Sequence, residues 1–193
     1  MTVDRVQAAM EAVPWAPFLP KEQRRFAAVD SALPIGHGQT NSQPYTVATM
    51  LRLLDVHPGH SVLDLGAGSG WTTALLARLV GPAGQVIGVE RRPELIGPAR
   101  AALQEVIGPV RHASIIEATP GVLGAPEKSP FDRILVSAEA QRLPQELVVQ
   151  LADGGVMVIP VATVMHRIQR RGDEVLDTAH GRFRFVPLVE GRG

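Results

Sequence analysis

The 193-residue chain is 45% hydrophobic and balances 19 lysines and arginines against 19 aspartates and glutamates, so its net charge is zero. That balance argues against a nucleic-acid partner, whose recognition takes a basic surface. The lack of cysteine excludes disulfides, thiolate metal sites and a cysteine nucleophile, and it fits a cytoplasmic location.

No apolar run is long enough for a membrane span, and the first ten residues do not read as a signal peptide. The length suits one domain, and a monomer is expected. Three parts are distinguished: a helical cap over 1–30, a loop and helix over 31–60, and a core over 61–193.

Val3, Val6, Met10 and Val13 recur at helical spacing, which predicts a short helix over Val3–Val13. Pro14, Pro17 and Pro20 stop it, with a further helical turn or two predicted over Lys21–Ala28. Leu33–Pro44, with two glycines, two prolines and a run of uncharged polar residues, reads as a loop. Ser42 is expected to be the N-cap of the helix that follows, with Pro44 in its first turn. Val47, Met50, Leu51 and Leu54 form the buried face of that helix, and His57–His60 ends it.

Val62–Trp71 is the centre of the chain. Apolar residues and Asp64 run into Gly66, Gly68 and Gly70, and the apolar helix of Ala74, Leu75, Leu76, Leu79 and Val80 begins at once. Strand, glycine turn and helix N-terminus thus meet at one point. Glycines let backbone approach a ligand closely, and the helix start offers unpaired N–H groups and a positive dipole end. Gln85–Glu90 is a second buried strand ending in an acid 20 residues beyond Gly70. A carboxylate there suits the vicinal hydroxyls of a ribose.

Pro93–Ile107 reads as a helix, Val110–Ile116 as a strand and Thr119–Pro130 as a loop. Phe131–Ser137 reads as a fourth strand, Pro144–Leu151 as a helix, and Asp153–Gly155 as a turn into a fifth strand, Val156–Val161. Val164–Arg170 and Arg182–Val186 are predicted to close the sheet in antiparallel fashion. The order predicts an α/β fold, a mostly parallel sheet with antiparallel edge strands behind the small helical cap.

The cofactor expected on this turn is S-adenosylmethionine. Asp64 stands two residues before the first glycine, where it suits the methionine ammonium group, whereas a dinucleotide's pyrophosphate would be repelled. The spacing also departs from the G-x-G-x-x-G of dinucleotide sites. The expected contacts are Asp64, Gly66, Ala67, Gly68, Ser69, Gly70 and Trp71, with Glu90 and Arg91 after the second strand. The six histidines show no ligand spacing with acids, so no metal is expected.

With these residues in place, the chain resembles the protein-L-isoaspartate O-methyltransferase family from about Val13 to Leu188. The most telling stretch is Leu33–Tyr45, which is similar to that family's substrate and active-site loop and is foreign to methyltransferases at large. Asp64–Trp71, Pro130–Ser137, Asp153–Pro160 and Phe185–Leu188 resemble its cofactor motif and later strands.

The resemblance implies a Rossmann-like S-adenosylmethionine-dependent methyltransferase that methylates the carboxylate of L-isoaspartyl residues in damaged proteins or peptides. The ester collapses to a succinimide that can reopen as normal aspartate, which makes the role one of repair. Ser42 falls on the family's active-site serine, with Thr40 beside it as a second catalytic candidate. Gln39, Thr40, Asn41 and Ser42 fall where the family's loop touches the cofactor. Asn41 departs from the usual apolar residue. Pro120 stands where the family's aspartate reads the adenine amino group, so Glu117, the nearest acid, is the candidate substitute.

A carboxylate is ionised at neutral pH, its reference pKa being about 4, so methyl transfer to it needs no strong base. It needs in-line placement and exclusion of water. The Ser42 and Thr40 hydroxyls suit the task of orienting the acceptor. Two other readings stay open on the sequence: a carboxyl methyltransferase that tailors one specific peptide, and a methyltransferase-like binding module without turnover.

Overall fold

The computed structural model describes residues 4–189. Its centre is a seven-stranded sheet built from β3 (Ser61–Leu65), β4 (Gln85–Glu90), β5 (Ala113–Glu117), β6 (Phe131–Val136), β7 (Leu151–Val161), β8 (Val164–Arg171) and β9 (Glu174–Arg182). The order across the sheet is β5-β4-β3-β6-β7-β8-β9. The first five of these pair in parallel, and β7, β8 and β9 pair antiparallel, as the alternation of strand and helix predicts. From β3 the chain winds outward to β5 and then returns to place β6 on the other side of β3. This reversal leaves a crevice at the carboxyl ends of β3 and β6, the position where open α/β sheets bind ligands.

Helices α1 (Arg5–Ala12), α2 (Pro44–Leu54), α3 (Trp71–Val80) and α4 (Pro93–Ile107) bury their apolar faces on one side of the sheet. The short α5 (Gln145–Val148) and the chain around Ala125 cover the other. Val62, Val86 and Leu135 point to the first side, and Leu63, Ile87 and Ile134 to the second, the period-two alternation of strands buried on both faces.

The front of the chain is tied to the start of α3. The Asp4 carboxylate caps α1 by accepting from the Val6 and Gln7 amides. Trp15 stacks on Trp71 with 5.2 Å between ring centres, and the Trp71 indole N–H donates to the Val13 carbonyl at 3.1 Å. The predicted first helix is α1, and Val3 lies outside the described residues.

Four expectations change. Leu33–Asn41 is a hairpin and not an open loop: β1 (Leu33–Gly36) pairs with β2 (Gln39–Asn41) through a two-residue turn at His37 and Gly38. Both turn residues have positive φ, the twist that joins antiparallel strands tightly. Ser42 is not the N-cap of α2. Gln43 holds that position, and Asp30 supplies the capping carboxylate, accepting from the Tyr45 amide and the Gln43 side chain, both at 2.9 Å.

The Asp153–Gly155 turn lies inside β7 as a bulge, since Phe131 pairs with Leu151 and Arg133 already with Val156. Lastly, Arg182–Val186 is not a closing strand. The ladder with β8 ends at Arg182, and the chain then crosses the carboxyl end of the sheet. There Val186 O accepts from the Glu139 amide, and the Leu188 amide donates to Glu139 O.

Candidate active site

Over the carboxyl ends of β3, β4, β5 and β6 lies a cleft. Its roof is the β1–β2 hairpin with Ser42, its floor is the glycine turn, and the crossing segment Val186–Val189 closes one side. Of the residues predicted to hold a cofactor, Gln39, Thr40, Asn41, Ser42, Gly66, Ala67, Gly68, Trp71, Glu90 and Arg91 line this cleft together. Asp64, Ser69, Gly70 and Glu117 do not.

Glu90 is 5% exposed at the tip of β4. Its Oε2 accepts from the Gly68 amide and its Oε1 from the Arg92 amide, both at 2.8 Å. The carboxylate is held rigidly by backbone, and its remaining lone pairs are available to a diol.

Asp64 sits one layer below the turn, wholly buried. Its Oδ2 accepts from the Thr72 and Thr73 hydroxyls at 2.7 Å, while its Oδ1 has no partner. Burial pushes its pKa up to about 6, against the two threonine hydroxyls and with help from the Glu90 charge. A cationic group beside Thr72, which lines the cleft, would relieve both the unpaired oxygen and the buried charge.

Asp64 therefore lies beneath the turn and does not line the cleft. Ser69 turns its hydroxyl to Asn41 Oδ1, and Gly70 serves as the N-cap position of α3.

The strand order decides which end of the cleft holds what. The tip of β5 lies at one end, beyond Glu90, and Ser137 after β6 lies at the other. The β5 end is apolar, walled by Ala118, Val122 and Leu123. Glu117 is exposed and off the cleft, which corrects the expectation that it substitutes for the family's aspartate. Pro120 and Gly121 form a tight turn in which the Val122 amide donates to Thr119 O, with φ of 75° at Gly121. Proline followed by a positive-φ glycine is the type II pattern, and it delivers Val122 and Leu123 to the cleft.

Sequence reasoning missed this wall and also missed Gln150. The buried Gln150 amide accepts from the Ala125 amide at 2.9 Å and donates to Leu123 O at 2.8 Å and Glu146 O at 2.7 Å. It pins the wall to α5. Gly124, with φ of 82°, packs so close to that amide that a Cβ would overlap it. Gln150→Leu is expected to cost about 2–3 kcal/mol of stability and weaken cofactor binding about tenfold, because three backbone groups lose their partner. Denaturant melts and calorimetric titration with S-adenosylhomocysteine check it.

A second lobe opens beyond Ser42, lined by Gln43, Thr46, Arg182, Phe183, Arg184 and Phe185. Thr40, Ser42, Ser137 and Val186 line both lobes and so stand between them. With Asp30 capping α2, the Ser42 hydroxyl is released from that duty. Ser137 and Val186 fall in stretches that resemble the family's later strands, but only the crossing of the tail over β6 brings them together here.

A family model described as protein-L-isoaspartate(D-aspartate) O-methyltransferase matches residues 1–193, the full length. The chain belongs to that family. Among relatives, the protein-L-isoaspartate O-methyltransferase of Methanopyrus kandleri is 45% identical over 98% of this chain and 85% of its own. That of Vibrio parahaemolyticus is 43% identical over 97% of this chain and 88% of its own. A crystal structure of a protein-L-isoaspartate O-methyltransferase from Plasmodium falciparum, in complex with S-adenosyl-L-homocysteine, superposes with a TM-score of 0.86 at 27% identity. It covers 98% of this chain and 92% of the Plasmodium chain.

The Rossmann-like methyltransferase fold expected from the resemblance is the fold observed. At the β5 end of the cleft, the Pro120–Gly121 turn sets two apolar side chains, Val122 and Leu123, in the wall. Among the described residues, no three histidine, cysteine or acidic side chains gather in a way that could hold a metal. Nor is any described helix long and apolar enough to cross a membrane.

Proposed function

We propose that this protein binds S-adenosylmethionine in the lobe over the glycine turn and methylates the carboxylate of L-isoaspartyl residues presented in the second lobe. The observation that carries the reading is the shared wall: Thr40, Ser42 and Ser137 face both lobes, so three hydroxyls border the line along which a methyl group must pass. S-adenosylmethionine, when bound, supplies a methyl already activated on a sulfonium, so a carboxylate oxygen gains the methyl and a neutral thioether departs.

The chain's own residues supply placement. Glu90 holds the ribose hydroxyls, Asp64 compensates the ammonium group through the turn, and Val122 and Leu123 pack on the purine. Ser42 and Thr40 donate hydrogen bonds that aim the acceptor carboxylate without competing with it as nucleophiles. Their hydroxyls are weaker acids than the acceptor by many orders of magnitude, so the carboxylate is the group that reacts at neutral pH. Arg182 and Arg184, exposed on the rim of the second lobe, give that lobe a positive charge that suits an anionic acceptor.

A paired assay tests the reading. An isoaspartyl peptide is methylated and its aspartyl twin is not. Ser42→Ala lowers kcat on the isoaspartyl peptide about tenfold to a hundredfold, the loss expected when a positioning contact goes. Equal methylation of the twins removes the isoaspartyl assignment in favour of a peptide-tailoring enzyme. Wild-type kcat in Ser42→Ala removes the serine's role.

A further inference from the structure

Asn41 closes β2, is 9% exposed and is one of the residues that line the cofactor lobe. Its Oδ1 accepts the Ser69 hydroxyl at 2.9 Å. That bond ties the hairpin to the glycine turn, and it directs the other end of the amide away from Ser69. Asn41 Nδ2 is buried and has no partner. A buried amide N–H group without an acceptor is costly, and native proteins keep such groups where a ligand completes them. An apolar side chain at this position would carry no such penalty.

We propose that Asn41 Nδ2 is a carboxylate donor that binds the amino-acid carboxylate of the cofactor. The proposal rests on the S-adenosylmethionine reading and adds a recognition element to it.

Three features point to a carboxylate at this spot. The partner must be an acceptor, because the orphan is a donor. The glycine turn and the N-terminus of the ten-residue α3 lie beside it and favour negative charge. The Gly68 amide, one donor of the turn, is already taken by Glu90, so Asn41 Nδ2 supplies a donor beside those left at the start of α3.

The cofactor is favoured over the methyl acceptor as the source of that carboxylate. Asn41 lines the cofactor lobe alone, whereas its neighbours Thr40 and Ser42 line both. Alternation along β2 explains the division, since Thr40 is exposed and Asn41 is turned inward.

The test compares two probes on the full chain by calorimetry: S-adenosylhomocysteine, which has the carboxylate, and 5′-methylthioadenosine, which lacks the whole amino-acid portion. Asn41→Leu should weaken S-adenosylhomocysteine about tenfold, the loss of one hydrogen bond to a charged group, and leave methylthioadenosine within about twofold. Asn41→Asp should weaken S-adenosylhomocysteine about a hundredfold, because it sets like charges together, again sparing methylthioadenosine. The melting temperature of Asn41→Leu stays near wild type, since loss of the buried Ser69 bond is offset by removal of the unpartnered amide N–H group.

Equal weakening of both probes overturns the proposal, because it marks a merely structural role. So does unchanged S-adenosylhomocysteine binding with a raised KM for the acceptor peptide, which assigns the amide to the acceptor's carboxylate. Failure of the wild-type chain to bind S-adenosylhomocysteine refutes the cofactor reading itself, a result distinct from either.

Discussion

Gly70→Ala lowers the melting temperature by about 10 °C and weakens S-adenosylhomocysteine at least tenfold. Gly70 has φ of 88°, in the left-handed region, where a Cβ costs roughly 1–2 kcal/mol. The space is also taken: a Cβ there would lie 2.9 Å from Ile115 Cδ1 and 3.2 Å from the Ala99 carbonyl oxygen. Ile115 is itself core, and Ala99 O belongs to the backbone of α4, so neither neighbour moves cheaply.

Overpacking of this kind adds roughly 1–3 kcal/mol, and the two effects together reach about 2–5 kcal/mol. The strain also acts on the site. The Gly70 amide closes the turn onto Ala67 O at 2.8 Å, and Gly70 is where α3 begins. Relief of the clash moves the helix start away from β5 and α4 and disturbs the turn that carries the Gly68–Glu90 bond. Thermal melts with and without S-adenosylhomocysteine measure both effects. A melting temperature within about 2 °C of wild type would show that α4 yields without cost.

Asp64→Asn trades stability against binding, and pH separates the two. The carboxyl of Asp64 has a folded pKa of about 6, above its ordinary 3.8. A raised pKa means that the folded state prefers the protonated form. The group's contribution is therefore fully favourable below about pH 4 and is lost as pH rises through 6. Above that, keeping the charge buried costs about 3 kcal/mol in the ligand-free protein, from a shift of roughly two units.

Asparagine still accepts from Thr72 and Thr73 and carries no charge. The variant is thus expected to melt several degrees higher at pH 7.5 and to lose the fall in stability between pH 4 and 6. Cofactor affinity is expected to move the other way, down at least tenfold, because the buried charge proposed to compensate the ammonium group through the turn is gone. At pH 6 the wild-type carboxyl is about half protonated, so binding releases about half a proton, visible as a buffer-dependent enthalpy. The variant shows none. Superimposable stability profiles for the two proteins would refute the assignment of the raised pKa to Asp64.

The two residues differ in how far they could be read from sequence. Gly66, Gly68 and Gly70 between an apolar strand and an apolar helix state their own conformation, because positive φ is a local property. All three have it. Glu90 is likewise readable, since the length of one helix and one strand sets where the second strand ends. The parallel core and the antiparallel edge follow from the alternation of periods 3.6 and 2, which is also local.

The hairpin at Leu33–Asn41 was within reach too: Leu33 and Ile35 alternate, and Gly38 offers the turn. The run of polar residues after it hid the pattern.

What the sequence could not state are contacts between residues far apart in the chain. Nothing in the spacing around Ser42 says that Asp30, a dozen residues upstream, caps its helix and releases the serine. Nothing around Asp64 says that α3 folds over it and leaves one oxygen dry. The Asn41–Ser69 bond, the Gln150 anchor of the Val122–Leu123 wall and the passage of Val186 over Glu139 join segments separated by 28, 27 and, in the last case, more than 40 residues.

The family's loop and glycine turn were therefore legible as pieces, since periodicity and turn chemistry are written residue by residue. The division of the site into two lobes, with three hydroxyls between them, was decided by tertiary packing. Only the folded sheet brings the ends of β3, β5 and β6 and the crossing tail to one place.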